Sequence, residues 1–351
     1  MRVVTPSLHS VQMNAARPAA SIQREGSLRG RDLLSIADLS RSELEAVLDR
    51  AAALKAEYRS LRRHPSAPLA GRTLAMLFEK PSLRTRVTFE AGMSQLGGHA
   101  IHLGPGDVGL GVRESVTDVA RNLDRWVDAI TIRTFAHSIV EELAAEASIP
   151  VVNALTDHEH PCQALADLLT LRERFGRLDG LVIAFVGDGN NVFHSLALAG
   201  ATAGMEIRIA HPDGYGPDPE IVGEAALLAE ENGGGLVLGN DPRVAVRGAD
   251  AIYTDTWTSM GQEAQVAERR LAFRGFSVDA ALVAAAGPRA LVMHCLPAHR
   301  GEEITSEVLD GPRSIVLDQA ENRLHVQKAW LFETLAHAPG TGHGVGLTVA
   351  G

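Results

Sequence analysis

TLAMLFEKPSLRTRVTFE, from Thr73 to Glu90, is the stretch on which the fold reading turns. Its first six residues are an apolar run of the length expected for a buried strand, and from Val87 onward Phe89, Met93 and Leu96 recur at helical spacing. Between strand and helix lies a turn rich in cations and hydroxyls, with Ser82, Arg84 and Thr85 at the incoming helix end. Free backbone N–H groups and the positive end of the helix dipole make such a terminus an anion site, and an Arg fork with two hydroxyls adds directed donors for phosphate oxygens. The glycines of a Walker A loop are missing. A solvated basic loop with a Ser cap is the plainer reading of this segment taken alone.

The same alternation extends outward. Ser40 and Glu43 form an S-x-x-E capping box ahead of Leu44, Val47, Leu48, Ala51 and Leu54, which predicts a first helix. His99 to Leu103 is a short apolar stretch, followed by the glycine-dense loop GPGDVGLG from Gly104 to Gly111. Ser115 and Asp118 begin another helix with Val116, Val119, Ala120, Leu123 and Trp126 on its inner face. Ala129 to Arg133 and Pro150 to Ala154 read as strands, and Pro161 opens a helix that Gly176 ends. Leu181 to Val186, the turn GDGNN, a helix from Val192 and a strand from Met205 to Ala210 make a βαβ unit. Further strands are expected at Ala251–Thr254, Ala290–His294 and Ser314–Leu317, with a last helix from about Gln319 to Leu335. Repeated strand–helix alternation over 351 residues predicts an α/β protein of two doubly wound parallel-sheet domains with a cleft between them.

Composition narrows the class. A formal charge of −10 argues against general nucleic-acid binding, so the cationic turn is a local device, and no apolar run is long enough for a membrane span. Only Cys162 and Cys295 occur, each near a histidine, which suggests a reducing, cytoplasmic setting and site chemistry rather than a disulfide. Residues 1–27 lack periodicity and are expected to be a disordered extension; the Gly-rich residues 337–351 are expected to be a flexible tail.

Ligands of open α/β sheets gather outside the carboxyl ends of the strands. The residues that follow the expected strands are Ser82, Arg84 and Thr85; Arg133 and Thr134; His158, His160 and Gln163; Asp188, Asn190 and Asn191; Asp255, Thr256 and Ser259; and Cys295. Arg84, Arg133 and His160 would make a cationic wall suited to a phosphorylated carbonyl compound. Asp255, Asn191 and Ser259 suit a small zwitterion, with Asp255 holding an ammonium group and Asn191 a carboxylate. Three alternatives stand beside this reading. GDGNN is similar to a dinucleotide turn but lacks the third glycine; His160, Cys162, His294 and Cys295 are potential zinc ligands at unusual spacing; and Cys295 is a possible nucleophile without an evident oriented base.

With those residues assembled, the chain resembles the aspartate/ornithine carbamoyltransferase family from Leu28 to about Leu335. The motifs that carry the resemblance are SLRTR (Ser82–Arg86), RTF (Arg133–Phe135), HPCQ (His160–Gln163), GDGNN (Gly187–Asn191), DTWTSMGQE (Asp255–Glu263), HCLPAHRG (His294–Gly301) and AENRLHVQK (Ala320–Lys328). The SMG loop and HCLP are similar to the members that act on ornithine. The resemblance implies transfer of the carbamoyl group of carbamoyl phosphate to the side-chain amine of L-ornithine, giving L-citrulline and phosphate, with no cofactor and no metal. It implies a carbamoyl phosphate site from Ser82, Leu83, Arg84, Thr85, Arg133, His160, Gln163, Cys295, Leu296 and Arg323, and an ornithine site from Asn191, Asp255, Ser259 and Met260. Arg133, His160 and Cys295 would be catalytic. It further implies a carbamoyl phosphate-binding domain over 28–160 that the C-terminal helix 319–336 rejoins, an ornithine-binding domain over 161–318, and a homo-oligomer, expected as a trimer.

Two departures stand out. Leu83 replaces the Thr of the more frequent STRTR form, and Gly109 occupies a loop position where many relatives carry Gln or His. The chemistry sets one demand: an alkylamine of pKa about 10.4 is only on the order of 0.1% neutral at pH 7.4, so the site must select or generate the neutral nucleophile. Cys295, as a thiolate favoured by the surrounding cations, is the expected neighbour for that task.

Overall fold

The computed structural model describes residues 27–336, so the expectations for 337–351 and for all but Ser27 of 1–27 lie outside the described residues. Thr73–Phe78 (β1), His99–Leu103 (β2), Ala129–Arg133 (β3) and Val151–Leu155 (β4) form a four-stranded sheet of order β2-β1-β3-β4. Val182–Val186 (β5), Glu206–Ala210 (β6), Gly235–Gly239 (β7), Ala251–Thr254 (β8) and Leu291–His294 (β9) form a five-stranded sheet of order β7-β6-β5-β8-β9. Every pairing within both sheets is parallel. Strand order reverses between β1 and β3 in the first sheet and between β5 and β8 in the second, and the turns after these four strands carry most of the expected site residues. Register brings them level: Phe78 pairs with Arg133, and Thr254 with His294.

Burial explains how the sheets are held together. On β1, Leu74 and Met76 enter one apolar cluster while Ala75 and Leu77 enter another, as expected for a strand covered on both faces. The inner cluster is continuous from β1 to Ile183 and Phe185 of β5, and it includes Leu165, Leu168 and Leu169 of the helix Pro161–Phe175 with Trp330 and Leu331 of the helix Val316–Leu335. Those two helices pack on each other, and every residue from Pro161 to Leu171 is buried. Proline at its first turn and Gly176 at φ +73 set the limits of the helix Pro161–Phe175, because the ring tolerates only the first turn and glycine accepts the left-handed exit. The helix Arg41–Leu61 begins in the expected capping box, with Ser40 Oγ accepting from Glu43 N and the Glu43 carboxylate accepting from Ser40 N.

Three local expectations change. Ser314–Leu317 is not a strand: Ser314 makes a single bridge to Val292, and the chain turns into helix at Val316 because Ile315 O accepts from Gln319 N. Trp126 lies beyond the helix Val116–Leu123 and is 70% exposed, so it is not part of the inner face. Strand β7 has no signature in the sequence: glycine at both ends and an exposed edge position deprive GLVLG of the alternation that marks a half-buried strand. Among the described residues no helix is long and apolar enough to cross a membrane.

The shared inner core predicts unequal costs for truncations on different helices. Trp330→Ala, in the layer common to both sheets, should destabilise the protein by about 3–5 kcal/mol in urea unfolding. Leu227→Ala, on an exposed helix face, should change it by no more than about 0.5 kcal/mol.

Candidate active site

The turn after β1 presents three cations, and their partners separate them. Lys80 is buried, pairs with Asp157 and lies 4.1 Å over the Phe135 ring. Arg86 pairs with Glu90 at 2.9 Å. Arg84 has no carboxylate partner among the described residues; its Nη2 instead donates to the Leu296 carbonyl at 2.5 Å, reaching from the first sheet to the turn after β9. Leu296 holds φ +58, a strained setting for a side chain with a Cβ, and its carbonyl oxygen is the atom that accepts from Arg84. Ser82 caps the helix Leu83–Gln95, its Oγ accepting from Thr85 N at 3.3 Å.

Two further arginines converge on this turn from distant elements. Arg323, on the helix Val316–Leu335, is buried and donates from Nη2 to Thr85 Oγ1 at 2.9 Å and from Nη1 to Gln163 Oε1 at 2.7 Å. Arg133, at the end of β3, is buried with its Nε unpartnered. Burial and the neighbouring Arg323 and Arg84 lower the Arg133 guanidinium to about 10, and burial lowers Arg84 and Arg323 as well. His160 is buried with Nδ1 unpartnered, and burial together with the three arginines drives its pKa well below the usual value, so its ring is neutral near pH 7. Clustered like charges without a counter-ion are costly to bury, so this arrangement is made to receive an anion.

The opposite wall is acidic. Asp255, after β8, accepts from Cys295 Sγ at Oδ1 (3.0 Å) and from Asn190 Nδ2 at Oδ2 (2.9 Å). Asn190 also caps the helix Asn191–Thr202 with its own Oδ1, which locks its amide orientation. The expected thiolate at Cys295 is corrected here: burial and then Asp255 push the thiol well above its usual pKa, and the sulfur is a protonated donor. The arginines act in the other direction but carry less weight than burial.

Not all expected residues converge. Ser82, Arg84, Thr85, Gln163, Leu296 and Arg323 are joined by hydrogen bonds, with Arg133 and His160 inside the same positive field. The Asn191 amide donates to the Thr156 carbonyl at 2.5 Å and is therefore engaged. Ser259 N donates to Gln262 Oε1, Met260 and Leu83 have exposed side chains, and the hydrogen bonds of Asp255 among the described residues go to Cys295 and Asn190. Their loop lies beside the first sheet's Phe135, where a Cβ added to Gly261 would stand 3.6 Å from the ring. Asp167, Asn322, Gln319 and Glu159 were not singled out in the sequence, because buried polar groups on helices carry no spacing signal of their own.

The alternatives do not fit this geometry. Asp255, His294 and Cys295 are close enough to share an ion, but His294 Nδ1 accepts from Leu296 N at 2.8 Å and Nε2 bonds Glu303 at 3.0 Å, so neither ring nitrogen offers a free lone pair. Cys162 is buried against the Asn153 carbonyl, away from that group. In the GDGNN turn the chain itself occupies the approach of a dinucleotide: Gly189 N donates to Tyr215 O, and a Cβ at Gly189 would stand 2.2 Å from Pro217 N. Asp188 is held by Arg269 through both Nη atoms. Cys295 faces a carboxylate rather than a histidine base.

Comparisons with known proteins agree with this division into an anion wall and an acidic wall. Residues 31–173 match the family model described as the carbamoyl-P binding domain of aspartate/ornithine carbamoyltransferase, and residues 179–334 match its Asp/Orn binding domain. The chain is 53% identical over 308 residues to the ornithine carbamoyltransferase of Anoxybacillus flavithermus, covering 88% of this chain and 98% of that protein. It is 54% identical over 302 residues to that of Symbiobacterium thermophilum, covering 86% and 97%. Among solved structures, ornithine carbamoyltransferase from Pyrococcus furiosus superposes with a TM-score of 0.86 at 50% identity, covering 88% of this chain and 98% of that one. The enzyme from Thermus thermophilus gives 0.78 at 49% identity, covering 87% and 98%. Two matched halves that meet at the converging arginines and the Asp255–Cys295 pair place this chain in the aspartate/ornithine carbamoyltransferase family.

Proposed function

We propose that this chain is a carbamoyltransferase that moves the carbamoyl group of carbamoyl phosphate to the side-chain amine of L-ornithine, giving L-citrulline and phosphate. The observation that carries the reading is the set of three arginines, Arg84, Arg133 and Arg323, gathered around a neutral His160 with no carboxylate partner among the described residues. Such a site suits a dianionic acyl phosphate, which supplies the negative charge that the arginines lack. In this reading Ser82, the Leu83 backbone, Arg84, Thr85 and Arg323 hold the phosphate, while Arg133, His160 and Gln163 meet the carbamoyl oxygen and amide. Residues 28–160 with the returning helix would be the carbamoyl phosphate side, and 161–318 the ornithine side, with Asn191, Ser259 and Met260 reaching the amino acid once Asn191 leaves Thr156.

The reaction follows from charge. The neutral amine forms a C–N bond with the carbamoyl carbon, the C–O bond to phosphate breaks, and the proton lost by nitrogen ends on the departing phosphate. Donors fixed in a buried site lower the energy of oxygen charge that grows during attack, because they need no reorganisation. Cys295 serves as a relay of hydrogen bonds rather than as a base: its S–H points to Asp255, leaving sulfur lone pairs to accept from the amine N–H and aim the nitrogen lone pair at carbon. Leu296 O would receive the carbamoyl amide when Arg84 turns to phosphate.

The finer reading is a cytoplasmic enzyme of arginine biosynthesis that works as a homotrimer. Exposed apolar side chains at the anion loop and its helix, Leu83 and Val87, and on the loop after β2, Val112, support self-association.

Supplied with carbamoyl phosphate and ornithine, aspartate, N-acetylornithine or putrescine in turn, the protein should form a carbamoylated product and phosphate with ornithine only. Arg84→Ala should lower kcat/KM by about 100- to 1,000-fold with an unchanged circular dichroism spectrum, and near-normal turnover would overturn the phosphate site. Burial and Asp255 raise the Cys295 thiol well above its usual pKa, so its deprotonation is not what supplies the neutral amine. The rise of kcat/KM with pH should therefore persist in Cys295→Ser; loss of that limb would restore the thiolate mechanism. Light scattering should give a mass near three times the 37.3 kDa chain.

A further inference from the structure

Among the residues expected to meet substrate Asp167 bonds directly to Gln163 alone, yet it joins both walls of the site. It lies fully buried on the helix Pro161–Phe175. Its Oδ1 accepts from Gln163 Nε2 at 2.8 Å and from Gln319 Nε2 at 2.7 Å. With its N–H₂ turned to the carboxylate, Gln163 presents Oε1 to Arg323 Nη1 at 2.7 Å, and Arg323 continues to Thr85. Gln319, oriented in the same way, presents Oε1 to His294 N at 3.1 Å, directly before Cys295.

An amide can offer either end to a neighbour, and in a buried site only the partners decide which. A carboxylate oxygen accepts and never donates. By taking the N–H₂ groups of both glutamines on one oxygen, Asp167 leaves each amide oxygen for a donor: a guanidinium on one side and a backbone N–H on the other. Reversing Gln163 would set N–H₂ against guanidinium and carbonyl against carboxylate, leaving donors and acceptors unpaired where water cannot replace them.

We infer that Asp167 is a positioning residue of the transfer reaction, holding Gln163 and Arg323 in the anion wall and, through Gln319, the end of β9 that carries Cys295. This inference rests on the reading of the site as a carbamoyl phosphate site. Burial raises the Asp167 carboxyl to about 7, but a proton on Oδ2 leaves Oδ1 an acceptor, so the arrangement survives either state. Oδ2 accepts no bond from a nitrogen donor and has the buried Tyr253 hydroxyl as its polar neighbour, an oxygen that can accept from an amide N–H₂ of the same size. Asparagine can therefore do what aspartate does here, and leucine of similar size cannot.

The test compares Asp167→Asn, Asp167→Leu and Gln319→Leu with the wild type, using calorimetric binding of carbamoyl phosphate, which needs no turnover, and steady-state kinetics. Asp167→Asn should stay within about 3-fold of wild type in both. Asp167→Leu should weaken carbamoyl phosphate by about 10- to 100-fold and lower kcat, with the ornithine KM within about 3-fold. Gln319→Leu should lower kcat while carbamoyl phosphate binding stays within about 3-fold. A folded Asp167→Leu that binds carbamoyl phosphate normally, or an Asp167→Asn as impaired as Asp167→Leu, would overturn the inference. If Asp167→Leu does not fold, Gln319→Leu decides: wild-type kcat overturns it. Wild-type protein that binds carbamoyl phosphate but forms no citrulline would instead overturn the proposed activity, and the binding arms would still judge Asp167.

Discussion

Three clustered arginines, two of them buried and none with a carboxylate partner among the described residues, set the terms for the rest of this molecule. Arg84, Arg133 and Arg323 repel one another where water screens little, and His160 stays neutral among them. Charges of one sign held together store an attraction for an anion, but only if the scaffold cannot relax and let them separate. The scaffold here is stiff for an identifiable reason: one apolar layer runs through both sheets and includes the helix that carries Gln163 and Asp167 and the helix that carries Arg323.

Polar groups in that layer are matched to the same end. Lys55 meets Asn322 and Glu173, and Asn322 in turn meets Thr170, so the last helix is tied to the helix Pro161–Phe175 by hydrogen bonds as well as by packing. Glu159 joins Ile36 N to Ser195 Oγ, and Ser195 Oγ accepts from His160 N, which fixes the backbone from which the neutral imidazole projects. Burial raises Glu159 to about 7, so that tie carries less than a full buried charge near neutral pH. The field at the site is thus left to the arginines.

Cys295 shows how a cation-rich neighbourhood can mislead. Cations nearby favour a thiolate, but the sulfur is desolvated and faces Asp255 at hydrogen-bond distance, and burial with a close negative charge outweighs arginines that point elsewhere. His294, its sequence neighbour, is drawn away to Glu303 and the Leu296 N–H. Adjacent residues at a strand end alternate in direction, and two potential partners in sequence become members of separate networks.

The strand–turn–helix at Thr73–Glu90, the parallel α/β class and the cluster of functional groups at strand ends were legible in the chain, because period, capping chemistry and apolar runs are local properties. Edge strand β7 and the helix start at Val316 were not, since each depends on what lies beside it. Residue types likewise named the anion loop, Arg133, His160, Asp255 and Cys295 as chemistry-bearing. Which cation of that loop is available, which protonation state Cys295 takes, how Asn191 is engaged and why Asp167 matters were decided only by tertiary structure. Charge state and donor orientation are set by burial and by partners tens to hundreds of residues away, and those distances exist only once the chain has folded.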